Sequence, residues 1–296
     1  MNLWIRRHPA LALALGATLV SSAPILVKAA GLTGLGPTAI ATWRCILGTL
    51  ILAAAALAAR TPLRLGRRVW LAAGLAGFVF AVDLWVWHRS IVLAGAGLAT
   101  ILGNTQVFVT AVLSAVFLGE RLSWRFAGAA VSAAAGIVLL VGVGSGLDFP
   151  DGYLAGVAYG LATGLVYGIF LVLLRDAGKR HEDPTGLAIP LSFSGVAALF
   201  LIGTLRLEDT APSIPHTAEA WVLVAALAVV AQGVGWWIIT RSLPRVSGAV
   251  GGLLLLLQPV LAMIWGLLIF DERLAALQWF GAAVTLIAVY VGSRKN

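Results

Sequence analysis

Two carboxylates recur in one local setting, Glu120 within Phe117-Leu-Gly-Glu-Arg-Leu122 and Glu272 within Ile269-Phe-Asp-Glu-Arg-Leu274. A repeated acid invites an acid–base reading, which needs both groups within hydrogen-bond reach of one reacting atom. Each instead ends an apolar run beside Arg121 or Arg273, so the plainer expectation is a cap or ion pair that fixes a turn between helices. No other catalytic set is evident. His8, His88, His181 and His216 are scattered, Cys45 is the single cysteine, and no Gly-Lys-Ser/Thr phosphate loop occurs. Catalytic residues, cofactors, a metal site, an intrachain disulfide and ATP-driven chemistry are therefore not expected of this chain.

Residues suited to recognition are better represented. Arg44 and Asp83 are ionisable groups inside apolar runs, and charge at membrane depth is costly unless it faces a partner or a cavity. Counted from the run ends they lie roughly 10 and 14 Å deep, at about 1.5 Å per residue, which permits a pair. Asp83 and Trp87 share a helix face, with His88 on the adjoining one. Asn104 and Gln106 sit in a fourth run, and Gln258 approaches the middle from the other end in a ninth. In an eighth, Gln232 and Trp236 are four apart, beside Trp237. An amide in lipid needs a partner, so these are expected to point inward, toward another helix or toward cargo. The sixth run carries Gly156, Gly160, Gly164 and Gly168 as one stripe and Tyr159, Thr163 and Tyr167 as the next. The glycines read as close helix packing and the tyrosines as core or cavity lining.

A stack of membrane spans must position these residues. Of 296 residues, 60% are apolar and only 11% charged, where a soluble domain needs about a quarter charged; mean hydropathy is +0.99. Apolar runs of about 20 residues cross roughly 30 Å of hydrocarbon. They occur at Pro9–Ala29, Pro37–Ala59, Trp70–Val92, Gly97–Leu118 and Trp124–Val143, then at Tyr153–Leu174, Leu187–Arg206, Ala220–Thr240, Gly248–Phe270 and Leu277–Gly292. Trp4, Trp70, Trp124, Trp221 and Trp279 fall at run ends, as an interfacial belt does. Arg6 and Arg7 before the first run imitate a signal peptide, but the run is long enough to span and is read as the first helix.

The net charge of +8 does not argue for nucleic acid, because the basic residues sit in short loops as topology signals. Arg6, Arg7, Arg60, Arg64, Arg67, Arg68, Arg121, Arg125, Arg175, Lys179, Arg180, Arg241, Arg245, Arg294 and Lys295 share the side of the termini; Lys28, Arg89, Arg206 and Arg273 take the other. Cytoplasmic termini are expected in an inner membrane.

The chain also repeats itself. In the register that aligns the two Glu-Arg-Leu segments, Gln106 falls on Gln258, Arg89-Ser90 on Arg241-Ser242 and Trp85 on Trp237; Gly128-Ala-Ala-Val131 recurs one residue later as Gly281-Ala-Ala-Val284. With five spans per copy, an odd number, the second copy is inverted. The expected fold is all-α integral membrane, with ten transmembrane helices as two inverted five-helix repeats, residues 1–146 and 147–296. Such symmetry recurs in transporters, with the substrate between the halves near the midplane.

The Glu-Arg-Leu phrases, together with Gln258-Pro-Val-Leu261 and Lys28 at the end of the first run, resemble the EamA family of the drug/metabolite transporter superfamily over essentially the whole chain. Val107 departs from it, standing where the family often has the proline kept here as Pro259. The resemblance implies a ten-helix exporter, and the chain looks most like the aromatic amino acid exporters. The first run lacks the membrane glutamate of small multidrug relatives, so their proton–drug exchange is not implied.

The expected activity is export of amino acids, aromatic ones foremost, by alternating access. The alternative is export of another small metabolite or drug by the same architecture; a lipid enzyme or structural protein is a remote one, and no enzyme activity is expected. Cargo lining is assigned to Asp83, Trp87, His88, Gln106, Tyr159, Gln232, Trp237 and Gln258. Structural or gating roles go to Lys28, Arg44, Glu120, Glu272 and the Gly156, Gly160, Gly164, Gly168 stripe. The expected partners are small-molecule cargo and the lipid bilayer. Small residues spaced as Gly128-xxx-Ser132-xxx-Gly136 are assigned to packing between the halves of a monomer rather than between two chains.

Overall fold

Hydrocarbon offers no water to an exposed peptide group, so a spanning backbone must close its own hydrogen bonds as a helix or a closed barrel. A computed structural model of the protein describes residues 2–61, 66–118, 124–142, 149–180, 186–208, 213–242, 245–246, 254–272 and 274–293, and all regular structure among them is helical. The first half contributes α1 (Asn2–Arg7), α2 (Pro9–Ser21), α3 (Ala23–Leu32), α4 (Pro37–Ala58), α5 (Arg67–Ala94), α6 (Ala96–Gly103), α7 (Gln106–Leu118) and α8 (Trp124–Val141). The second contributes α9 (Tyr153–Arg180), α10 (Ala188–Leu207), α11 (Ala218–Ala226), a π-helical stretch (Leu227–Gly235), α12 (Trp236–Ser242), α13 (Leu257–Phe270) and α14 (Ala276–Ser293).

Among the described residues, seven stretches are long and apolar enough to cross a membrane: Pro9–Leu32, Pro37–Ala58, Arg67–Ala94, Trp124–Val141, Tyr153–Leu174, Ala188–Leu207 and Ala218–Ser242. Two apolar helices are shorter, Leu257–Phe270 and Ala276–Val291. The fourth expected span is interrupted rather than continuous, and the start of the ninth, with Gly248, lies outside the described residues.

Each interruption has a local cause. Between α2 and α3, Pro24 has no N–H to give, and the hydroxyls of Ser21 and Ser22 donate to the carbonyls of Thr18 and Leu19, each at 2.6 Å. Between α6 and α7, Asn104 Nδ2 donates to Thr100 O at 2.8 Å and Thr105 Oγ1 to Leu102 O at 2.7 Å. These side chains bond back to carbonyls one turn earlier, and such local bonds compete with the regular helical ladder and bend it.

Helices from the two halves pack against one another. α5 lies along α9, α10 against α4 and α5, α13 against α2 and α6, and α8 against α14. The sixth-run glycines bring α9 close to α5, α6 and α7 in turn. A Cβ on Gly160 would lie 2.7 Å from Leu102 Cδ1, one on Gly156 2.8 Å from Leu93 Cβ, and one on Gly168 2.8 Å from Val109 Cβ.

The α8–α14 contact joins the halves, but not through the expected stripe. Gly136 meets Thr285 and Gly281, whereas Ser132 is exposed and nothing approaches Gly128 within 4 Å. The buried face runs through Ala129, Ala133, Gly136 and Leu140. Alternating steps of four and three stay on one face of a 3.6-residue helix, while repeated steps of four drift off it.

At the centre, α5, α9, α10 and α12 bring four rings together. Phe80 lies 4.8 Å from Phe170 and 5.2 Å from Phe193, and Phe170 stands edge-on to Trp236 at 5.5 Å and 85°. Offset and edge-on contacts of this kind match the ring quadrupoles.

Candidate functional site

Beside the ring cluster, in mid-helix, lies the densest group of buried polar side chains. Arg44 is 2% exposed and Asp83 5%, while His88, Ser194 and Gln232 are fully buried. Arg44 Nε donates to Gln232 Oε1 at 2.9 Å, and Gln232 Nε2 donates to Ser194 Oγ at 2.7 Å, so one chain of hydrogen bonds links α4, the π-helical stretch and α10. Gln232 can reach both because it sits within the π-helical residues, where the wider turn re-aims side chains and where functional groups are often found. Gly48 leaves the space: a Cβ there would stand 2.5 Å from Gln232 Cγ.

The guanidinium also faces aromatic surface, with Phe80 at 5.8 Å and Trp87 at 5.9 Å from Arg44 Cζ. Both distances fall within cation–π range. The expected direct pairing of Arg44 with Asp83 is not made. Each lies within the other's electrostatic reach, yet Arg44 takes the amide of Gln232 instead. Arg44 Nη1, Asp83 Oδ1, His88 Nε2 and Trp236 Nε1 are buried without a hydrogen-bond partner. Four such atoms in one neighbourhood are costly. His88 is held from its other nitrogen, where Nδ1 lies 3.2 Å from Pro37 O.

Toward the ends of α3, α5, α10 and α13, two carboxylates tie helices together. Glu208 accepts from Thr38 Oγ1 at 2.5 Å, Trp85 Nε1 at 2.6 Å and Arg89 Nη2 at 2.7 Å. The Arg89 guanidinium stacks 3.9 Å from the Trp85 ring centroid. Partial burial pushes the Glu208 carboxyl upward, but the Thr38 and Trp85 hydrogen bonds and the Arg89 charge outweigh it and hold it below the usual carboxylate range. Glu272 accepts from Lys28 Nζ at 2.5 Å and from the backbone N–H groups of Ala96 and Gly97 at 3.1 and 3.4 Å. It thereby caps α6, where a negative charge suits the helix dipole. Glu272 thus meets a lysine distant in the chain, and the left-handed backbone of Asp271 (φ 51°) turns the chain out of α13 just before it. Glu120, Arg121 and Arg273 lie outside the described residues.

The eight residues expected to line a cargo site separate into groups. Asp83, Trp87, His88 and Gln232 gather around Arg44. Tyr159 packs edge-on to Trp85 at 6.0 Å, near the Glu208 hub. Gln106 is buried where α7 meets α9 and accepts from Thr110 Oγ1 at 3.1 Å. Trp237 packs with Leu52, Ala56 and Leu187, near Arg241; its neighbour Trp236 enters the ring cluster instead. Gln258 is half-buried in the first turn of α13.

Ser194, Phe170, Phe193 and Glu208 carry no distinguishing signal in the sequence. For Trp236 the four-residue spacing from Gln232 was the available clue. Among the described residues no group of three or more His, Cys, Asp or Glu is arranged to hold a metal ion.

A family model for EamA-like transporters matches twice, over residues 8–142 and 154–294. The chain belongs to the EamA-like transporter family. Membership makes it a multi-pass membrane protein of transporter type. Among curated EamA-like relatives, a WAT1-related chloroplast protein of Arabidopsis thaliana is 27% identical over 266 residues, 86% of this chain and 62% of that protein. The match thus spans less than two thirds of that relative. A "probable amino-acid metabolite efflux pump" of Escherichia coli K12 is 25% identical over 203 residues, 66% of this chain and 67% of that protein. The pseudopaline exporter CntI of Pseudomonas aeruginosa is 27% identical over 276 residues, 92% of this chain and 90% of that protein. One solved protein structure is alike in fold, with a TM-score of 0.68 at 20% identity over 96% of this chain and 95% of that one.

Proposed function

We propose that the chain is a carrier that exports amino acids, aromatic ones first among them, by alternating access between two inverted five-helix repeats. The observation that carries this reading is the buried Arg44–Gln232–Ser194 chain with Asp83 beside it. It joins helices of both halves in mid-membrane, against an aromatic wall. A mostly apolar pocket with a few convergent polar groups suits an amphipathic small molecule. The repeated Glu-Arg-Leu segments and the two stretches matched by the family model support the duplication.

Under the positive-charge reading the termini are cytoplasmic, in an inner membrane. Lys28–Glu272 and the Glu208 hub then stand on the outer side, as contacts between the halves that must part for cargo to leave. The close glycine contacts of α9 leave room for helices to slide during that change. Expected lining residues are Asp83, Trp87, His88 and Gln232 at the centre, with Tyr159, Gln106, Trp237 and Gln258 along the path.

The test is uptake of radiolabelled phenylalanine into liposomes holding the purified protein, against protein-free liposomes, with unlabelled solutes as competitors. Saturable flux blocked by other amino acids supports the reading. No flux under any imposed gradient, from folded protein, ends it. The resemblance to the pseudopaline exporter over 92% of the chain favours one second reading, the same carrier with another metabolite as cargo; the same competition series separates the two.

A further inference from the structure

We propose that Arg44 and Asp83 together read the two charges of an α-amino acid: the guanidinium takes the carboxylate, Asp83 takes the ammonium, and the Phe80–Trp236 ring cluster receives an apolar side chain. The assignment rests on the amino-acid reading above and names the groups that would enforce it.

Three observations carry it. First, the two residues have opposite charge, lie on neighbouring helices α4 and α5, and are almost wholly buried. Each keeps a polar atom without a hydrogen-bond partner, Arg44 Nη1 and Asp83 Oδ1. Opposite charges in a low-dielectric interior gain most by touching, and a purely structural pair would be expected to close. These two instead make no ion pair, because Arg44 is steered by Gln232, itself anchored on Ser194.

Second, the geometry of the tether matters. Gln232 holds the Nε edge of the guanidinium, leaving Nη1 to a ligand. A guanidinium so oriented is matched to a carboxylate, which accepts two parallel N–H groups in one plane. An ammonium adjoining that carboxylate would meet the unpartnered carboxyl oxygen of Asp83, Oδ1.

Third, the surroundings are aromatic and not otherwise charged. Phe80, Phe170, Phe193 and Trp236 stand against the same neighbourhood, and Tyr167 lies within the field of both Arg44 and Asp83. Such a wall favours an apolar or aromatic side chain and penalises a third charge.

The experiment compares phenylalanine with two analogues that each lack one charge, phenethylamine without the carboxylate and 3-phenylpropionate without the ammonium. Each is used to compete with radiolabelled phenylalanine flux in proteoliposomes. Loss of one charged hydrogen-bonding group should weaken competition by about ten- to a hundredfold. Arg44→Gln should then lower phenylalanine affinity and erase the discrimination against phenethylamine. Asp83→Asn should do the same for 3-phenylpropionate and leave discrimination against phenethylamine in place.

Competition by both analogues as strong as that of unlabelled phenylalanine, in the unaltered protein, overturns the assignment while leaving the amino-acid reading intact. Absence of phenylalanine flux in the unaltered protein overturns both. A folded Arg44→Gln that still discriminates against phenethylamine, or a folded Asp83→Asn that still discriminates against 3-phenylpropionate, also overturns it. Should Arg44→Gln fail to fold, Arg44→Lys keeps the charge but not the fork and is expected to lose affinity without losing discrimination.

Discussion

Lys28 Nζ lies 2.5 Å from Glu272 Oε1, an ion pair between residues 244 positions apart in the chain. Both side chains are mostly buried, 24% and 18% exposed, and the ammonium also sits 4.8 Å from the Phe270 ring centroid. The end of α3 is thereby tied to the end of α13, and through the Glu272 cap to the start of α6. Three elements that must separate in any opening at this end share one carboxylate.

Weakening that tie should open the molecule. Lys28→Met and Glu272→Gln are expected to raise access to the core, which Cys45, the single cysteine and fully buried, reports directly. Labelling of Cys45 by a membrane-impermeant maleimide should accelerate by about five- to thirtyfold, from about 1–2 kcal/mol of lost charge-assisted bonding. Unchanged labelling in both variants would show that this contact does not hold the closed state.

Glu208 gives a pH signature. Its folded carboxyl titrates below the usual range, so folding favours its ionised form. Its contribution is fully present above the unfolded carboxylate pKa and is lost as pH falls through the lowered folded value. The melting-temperature difference between the unaltered protein and Glu208→Gln should therefore be largest near neutrality and shrink once pH drops below about 4. A difference that grows in acid would contradict the assignment.

Glycines on one helix pair should behave oppositely. At Gly281 a Cβ would come within 2.6 Å of the Gly136 carbonyl oxygen, while at Gly128 nothing lies within 4 Å. Gly281→Ala is expected to destabilise by about 1–3 kcal/mol through overpacking. Gly128→Ala is expected to be neutral or stabilising by up to about 1 kcal/mol, from helix propensity. Thermal melting in detergent compares them, and equal effects would mean that α8 and α14 are not in this register.

The Arg44–Gln232 bond should show strong coupling. Gln232→Leu leaves the buried guanidinium without its acceptor and should cost about 1.5–3 kcal/mol. Arg44→Met with Gln232→Leu replaces both partners by apolar groups, so the double variant should be more stable than Gln232→Leu alone. Additive losses in a double-mutant cycle would argue against a direct bond.

How much of this was legible beforehand follows from what kind of force acts at each level. Apolar runs of spanning length and their approximate ends follow from local composition, because the cost of exposing peptide groups to hydrocarbon acts on every segment independently. The family was legible in the recurring Glu-Arg-Leu phrases. Asp83, Trp87 and His88 could be placed together because they share one helix, whose 3.6-residue period needs no tertiary knowledge.

Partnership between distant segments was decided elsewhere. That Arg44 binds Gln232 rather than Asp83, that Trp236 and not Trp237 enters the ring cluster, and that Glu272 meets Lys28 from 244 residues away depend on rotations and interruptions of whole helices. The π-helical stretch at Leu227–Gly235 and the break at Asn104–Thr105 shift which face each helix presents. Composition determined that this protein is a bundle of membrane helices. Only the packed bundle decided which buried charges meet, because in lipid they are matched by the geometry of close contact rather than by sequence proximity.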